Sequence, residues 1–465
     1  MRSTIIILII FISSNFYVKA QTEDSIPQIN YDSVTYDNYL KANWDGLIVN
    51  TKEAIDNGFE TFAIRKRLAY ACFMKEDYLT SARQYHKIYK NNPLDVDARL
   101  MLYHNYLNTA NYQRAKYYAA MFTDEERLYY LVPKNTFITS IDLGGGYQTS
   151  DNYSLNANNN IINNKVYGQQ ILNRDLSFAQ LGLTFQANSA LHITLGCDVI
   201  NTNREEKIVA NNYSLLGTRY DTSYIIDNKI SQQQFYIQTA FVLPRMYSLK
   251  LFGNFIFNQY TNVTPSYKVD SLKDPKVDTF MTERTNYTFN STTSNNLNYV
   301  VGATIEKEIR KLKLGLTACY SKLSGNNQIQ GDFYTTWYPK GNTNLSFNAQ
   351  LTVLSQNSEM KYIPSFESTF RAAKKLWVSA HVLYGDLTNT SEMNGQLVNN
   401  ITDKTIFRMG TSVYYTMSKN LILHLTYRYS LRQSNYVIYS DAFNYSTTYN
   451  NYNNYLIALG LKFNL

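Results

Sequence analysis

From Thr136 to Leu465 the chain falls into successive alternating segments of roughly ten residues, the length of a tilted membrane-crossing strand. The segments are 136–147, 174–187, 191–201, 232–243, 247–260, 296–309, 312–322, 328–338, 344–355, 361–372, 376–386, 404–416, 421–432 and 453–465, about fourteen in all. Their connections sort into two sets. Those at 188–190, 244–246, 310–311, 340–342, 374–375 and 418–420 are uniformly short. Those at 148–173, 202–231, 261–295, 387–403 and 433–452 are long and polar, with two shorter ones around Gly325 and Ser358. Short turns at one end and long loops at the other are the two ends of a membrane barrel, and a β-sandwich has no reason to sort its loops in this way.

The faces of the segments agree with that reading. In "LKLGLTACY" one face carries Leu312, Leu314, Leu316, Ala318 and Tyr320, and the other carries Lys313 and Thr317. In "NLILHLTYRYSL" Leu421, Leu423, Leu425, Tyr427 and Tyr429 oppose His424, Thr426 and Arg428. The pattern predicts an inside-out protein, with leucines towards lipid and His424 and Arg428 towards a lumen. Closure into a barrel is then required, because an open sheet leaves backbone groups unpaired in hydrocarbon.

The N-terminus fits an envelope protein. Arg2, the apolar run Ile5–Ile12 and Val18-Lys19-Ala20 before Gln21 read as a signal peptide over 1–20, followed by a linker, 21–34. The apolar run is too short to cross a bilayer as a helix. The three cysteines, Cys72, Cys197 and Cys319, are too scattered for a disulfide framework or a metal motif. The net charge of +8 is spread without a basic tract, so nucleic acid is not an expected partner.

Residues 35–132 have helical periodicity and an internal repeat. Asn43-Trp44, Asp77-Tyr78 and Asn111-Tyr112 are polar–aromatic pairs spaced by 34 residues. Leu68 and Leu102 keep the same spacing, Ser81 and Ala115 are small residues where paired helices would touch, and Pro93 closes one unit. The stretch resembles two tetratricopeptide repeats, 62–95 and 96–129, after a degenerate half-repeat containing Trp44. It departs from the family by placing Ser81 at the small position and Arg127 at the second closing proline. The resemblance implies a groove that docks a protein or polymer; a plain helical spacer is the alternative. The acidic run Asp124, Glu125 and Glu126 reads as solvated surface.

The expected organisation is therefore an α+β multidomain chain. A short all-α tetratricopeptide domain over 35–132 precedes a transmembrane antiparallel β-barrel of about fourteen strands over 133–465. As a layout it resembles the repeat-plus-barrel outer-membrane proteins of Bacteroidetes-type envelopes, among which YaiO-like barrels and exopolysaccharide export porins share the plan. The terminal "YLIALGLKFNL" is similar to the last strand read by outer-membrane assembly machinery, with Phe463 in place of a terminal aromatic. The resemblance implies an outer-membrane location, a periplasmic N-terminal domain, and lipid and a periplasmic protein or polymer as partners.

Candidate lumen residues are Lys250, Glu306, Lys313, Glu367, Arg371, His381, Arg408, His424, Arg428 and Lys462. Mixed signs suit either a solute filter or a network of ion pairs that fills the barrel. Arg371, Arg408 and Arg428 are candidates for a basic stripe. His86 and His104 fall in the helical repeats and His192 on a polar strand face. No GxSxG or HExxH motif occurs, "GGG" (144–146) lies in a strand, and "DSLKDPKVD" (270–278) lacks calcium-loop spacing. No catalysis, cofactor or metal is expected. The function expected is a pore or export channel with the repeats as a docking module. The alternatives are a non-conducting scaffold or display protein and, less favoured, an outer-membrane enzyme.

Overall fold

A computed structural model describes residues 30–158, 167–213, 219–273, 281–400, 403–440 and 444–465. The expected signal peptide, most of the linker and much of the 270–278 loop lie outside the described residues. The chain divides into two compact units that part between Ala71 and Cys72. The first holds α1 (Tyr31–Leu40), α2 (Trp44–Asp56) and most of α3 (Phe62–Met74). Tyr31, Ala54 and Ile64 form its core, Leu68 is also buried, and Tyr39, Trp44 and Tyr70 meet edge to face.

The second unit begins with α4 (Tyr78–Asn91), α5 (Val96–Asn108), α6 (Tyr112–Ala119) and α7 (Asp124–Tyr130). The 34-residue spacing has a local cause. Asn43, Asp77 and Asn111 are the N-caps of α2, α4 and α6, each accepting a hydrogen bond from the backbone N–H three residues on. Ser81 and Ala115 are fully buried, and Asn105 Nδ2 donates to Ser81 Oγ at 3.0 Å. The serine that departs from the repeat pattern thus satisfies a buried amide. Leu102 is buried, whereas Pro93 lies in an exposed connection. Burial, and then nearby Arg114, push the His86 imidazole down to about 3. His86 contacts the hydroxyls of Tyr106 and Tyr118 and is half-buried between the helices.

The strands follow: β1 (Ile138–Ser150), β2 (Tyr167–Gln186), β3 (Leu191–Tyr213), β4 (Arg219–Asp227), β5 (Ile230–Val242), β6 (Tyr247–Lys273), β7 (Met281–Ile309), β8 (Leu312–Leu323), β9 (Asn326–Trp337), β10 (Leu345–Gln356), β11 (Glu359–Ala373), β12 (Leu376–Tyr384), β13 (Thr390–Glu392), β14 (Leu397–Asn399), β15 (Lys404–Thr416), β16 (Leu421–Tyr439) and β17 (Tyr445–Asn464). All but β4, β13 and β14 form one antiparallel barrel of 14 strands, closed where β1 pairs with both β2 and β17. A short helix, α8 (Asn152–Asn156), follows β1.

The barrel is inside out. Leu312, Leu316 and Tyr320 on β8 are exposed, while Thr317, Cys319 and Ser321 on its opposite face are buried. Leu425 and Tyr427 on β16 are likewise exposed. A continuous exposed apolar wall needs an apolar solvent, and among the described residues no helix is long and apolar enough to cross a membrane. The strands that carry this wall have the outward face a bilayer requires.

Several strands run past the wall. The connections expected at 202–231 and 261–295 are mostly strand, because β3, β6 and β7 extend and β4 pairs with the end of β3. These extensions lean together. The upper end of β16 pairs with β2, the Tyr167 and Tyr439 rings stack at 4.1 Å, and Tyr287 N–H donates to Asn212 at 2.9 Å. Tyr167, Ile208, Val263 and Tyr287 form a small core there. Burying apolar groups above the wall gives the extensions a packing reason to stay extended.

Candidate functional site

The connection between β12 and β15 was expected to project outward as a long loop. Instead it turns into the lumen, where β13 and β14 form a hairpin. Its tip is Met393-Asn394-Gly395, all three at positive φ. A side chain at Gly395 would meet the Phe252 ring at 2.8 Å, so glycine is required both by backbone angle and by space. The local signal is "Asn-Gly" between short alternating arms, a turn-forming pair at the centre of the four-residue loop 393–396. Length and polarity alone do not distinguish such a hairpin from an outward loop.

The hairpin is bonded to much of the wall. Tyr236 Oη donates to the Asn394 carbonyl at 3.2 Å, and Asn254 Nδ2 donates to that of Gly395 at 2.9 Å. Thr304 Oγ1 donates to Asn394 Oδ1 at 2.8 Å. Gln330 exchanges two bonds with the Ser391 backbone, at 2.7 and 3.0 Å. Arg408 holds Glu392 with both guanidinium nitrogens, and Asn399 Nδ2 donates to the same carboxylate at 2.7 Å. At the hairpin's base Lys361 pairs with Asp386 at 2.8 Å. Val398 joins an apolar cluster with Tyr236, Phe252, Ile256 and Val300.

Helices cover the short-turn mouth. Asp77, the cap of α4, pairs with Lys311 at 2.8 Å, and Leu79 N–H donates to the Gly341 carbonyl at 3.0 Å. Asn342 Nδ2 donates to the Glu76 carbonyl at 3.0 Å. Asn111, the cap of α6, donates to Glu308 at 2.8 Å, and Arg114 donates to the Tyr247 carbonyl at 2.9 Å. Two of the repeated polar–aromatic pairs thus set helix ends on barrel turns, with Tyr78 and Tyr112 facing a chamber of about 1160 Å³. Met393, Asn394 and Gln396 of the hairpin line its other side.

The chamber is polar and charged. Lys250 and Lys313 both reach Glu306 Oε1, at 2.8 and 2.9 Å, and Ser248 and Tyr334 also donate to that carboxylate. Lys462 pairs with Asp142 at 3.0 Å. Most of the candidate lumen charges are thus paired. Arg371 does not join a basic stripe with Arg408 and Arg428, and that expectation is corrected. It binds Asn344 and the Lys374 carbonyl at the short-turn end and stacks over Trp377. Arg428 stays near Arg408, since Arg408 pairs across the ladder with Ser430. Glu367 accepts from Ser379.

The lumen histidines have a packing role. His381 and His424 lie over Gly410 and Gly460, their ladder partners, and Tyr334 lies over Gly315 in the same way. A ring laid across a glycine fills the hole left by the missing side chain. Gly460→Val is therefore expected to clash with His424 and lower barrel stability in urea titration, and His424→Ala in the same chain is expected to restore most of the loss. Among the described residues no group of side chains is placed to hold a metal.

No protein-family model matches the chain, and no curated protein matches it. Solved structures do. A FadL homologue from Pseudomonas aeruginosa has a TM-score of 0.44 at 8% identity, covering 70% of this chain and 90% of its own. The toluene transporter TodX from Pseudomonas putida has a TM-score of 0.41 at 7% identity, covering 75% and 94%. Omp33, an outer-membrane protein of Acinetobacter baumannii, has a TM-score of 0.31 at 10% identity, covering 71% and 100%. These are likenesses of fold alone. A closed 14-stranded barrel with an apolar outer wall, preceded by a helical region, is the architecture of an outer-membrane protein.

Proposed function

We propose that the protein is a gated outer-membrane channel for a polar solute or polymer segment, with its short-turn end and helical domain in the periplasm. The observation that carries this reading is the charged chamber, closed on one side by a hairpin and on the other by helices. Neither closure belongs to the barrel ladder, so either can move while the wall stays intact. Lys250, Lys313, Glu306, Arg371 and Lys462 in the lining favour a hydrated cargo over a hydrocarbon. The helices form a tetratricopeptide-like module in which the capped starts of α4 and α6 are anchored to the rim, leaving other helical surface for a periplasmic protein or polymer. Nothing in this reading requires catalysis.

The dense bonding of the hairpin favours a second reading, a permanently filled barrel acting as a scaffold. Planar bilayers separate the two. The full chain is expected to conduct little at rest, and a chain in which a short Gly-Ser turn replaces 387–399 is expected to show discrete, ohmic openings. If the replaced chain inserts and folds but stays silent, the channel reading fails and the scaffold reading stands.

A further inference from the structure

The helix α7 and the strap that joins it to β1 leave large apolar side chains uncovered. Leu128 and Tyr129 are 80% exposed, Leu131 is 86% exposed and Phe137 is 68% exposed. None of these is the edge of a larger core. Val132, next to Leu131, is buried, and Phe122 and Tyr130 pack together, so the segment is folded with these groups turned out. Thr123 and Glu126 form a capping box, Val132 N–H donates to the Arg127 carbonyl, and Arg127 donates to the Pro133 carbonyl at 3.1 Å.

The strap is fixed to the barrel rim. Asn135 donates to the Lys116 carbonyl at 3.0 Å, and Thr136 and Lys116 both donate to the Leu465 carbonyl. Phe137 stands against Phe185 on β2, at 5.3 Å between ring centres. Ile138 and Leu143 continue the exposed apolar surface up β1. Phe137 lies six positions after Leu131, so the two are within about 20 Å even if the strap is extended.

The same rim carries cations. Arg245, Arg310, Lys340, Lys374, Lys375 and Lys419 are exposed in its short turns, and Lys134 is exposed in the strap. A ring of cations below an apolar wall matches the phosphate level of a bilayer leaflet. The acidic residues Asp124 and Glu125 lie at the opposite end of α7 from Leu131, in its first turn.

We infer that α7 and the 131–137 strap form a membrane foot, in which Leu128, Tyr129, Leu131 and Phe137 enter the interfacial layer of the leaflet at the short-turn end while Lys134 meets its phosphates. Aromatic and aliphatic groups beside a cation are the side chains that this layer accepts. The foot holds helices α4–α7 against the rim independently of the polar bonds that α4 and α6 make to the turns. The inference requires only that the apolar wall sit in lipid, and it stands whether or not the barrel conducts.

The test uses the full chain in phosphatidylethanolamine–phosphatidylglycerol vesicles, with the native cysteines replaced and a solvatochromic dye placed at Leu131→Cys or at Leu94→Cys. Leu94 is also 80% exposed, and it follows α4, whose first turn touches the rim and whose 14 residues carry it about 21 Å away. The Leu131 dye is expected to emit to the blue of the Leu94 dye, to be quenched by lipids brominated near the headgroup, and to be shielded from aqueous iodide. Equal iodide quenching at both positions, in a chain shown to be folded by its heat-dependent gel mobility, overturns the inference. A blue-shifted Leu131 dye that brominated lipid does not quench also overturns it, since the patch would then be covered by protein.

Discussion

Changing Arg408 to alanine is expected to free the lumen hairpin while the barrel remains closed. The guanidinium holds both oxygens of Glu392, and Arg408 is buried. Removing one member of a buried pair leaves the other charge unpaired, at about 3–5 kcal/mol. That is comparable with what the hairpin gains from its remaining polar bonds, each worth about 0.5–1.5 kcal/mol net. The ladder loses nothing, because β15 pairs with β12 and β16 through backbone groups. The expected readout is new protease cleavage near Met393-Asn394-Gly395, together with higher conductance, at unchanged heat-dependent gel mobility. Changing Glu392 and Arg408 together to methionine is expected to reseat the hairpin, because a well-packed apolar pair is no worse than a buried ion pair. If R408A alone leaves the hairpin protected, Glu392 is not its latch.

The second large effect is expected at Glu306. Its carboxylate collects Lys250, Lys313, Ser248 and Tyr334. E306A strands two ammonium groups on neighbouring parts of the wall, again at about 3–5 kcal/mol. The barrel is expected to unfold at clearly lower urea than the parent. E367A is expected to do much less, since among the described residues Glu367 has a single serine donor, Ser379. In a chain that also lacks the hairpin, the unpaired lysines are expected to shift ion selectivity towards anions, read as a changed reversal potential under a salt gradient. Equal stability of E306A and E367A would show that the carboxylate is solvated and does not organise the chamber wall.

Legibility differed between the parts for physical reasons. The wall was readable because lipid leaves no compromise: each strand must alternate, and every backbone group must pair. The 14 strands and the outward-facing leucine and tyrosine of "NLILHLTYRYSL" followed from that. The strand extensions were not readable, since outside lipid a polar strand and a polar loop have similar composition. The packing role of His424 was not readable for a related reason: the sequence shows its face but not Gly460 across the ladder. The hairpin was the largest miss. Its Asn394-Gly395 turn was visible, but its destination depended on wall residues far away in sequence, such as Gln330 and Asn254.

By itself, then, the sequence determined what is periodic and local: the strand number, the two faces, the sorted connections and the capped helices recurring every 34 residues. These depend on neighbours along the chain and on the solvent that each face meets. The tertiary structure alone decided what fills the barrel and what covers it. A polar hairpin satisfies its backbone equally well in water or against polar wall residues, so its place is set by the shape and bonding of the cavity that closure creates.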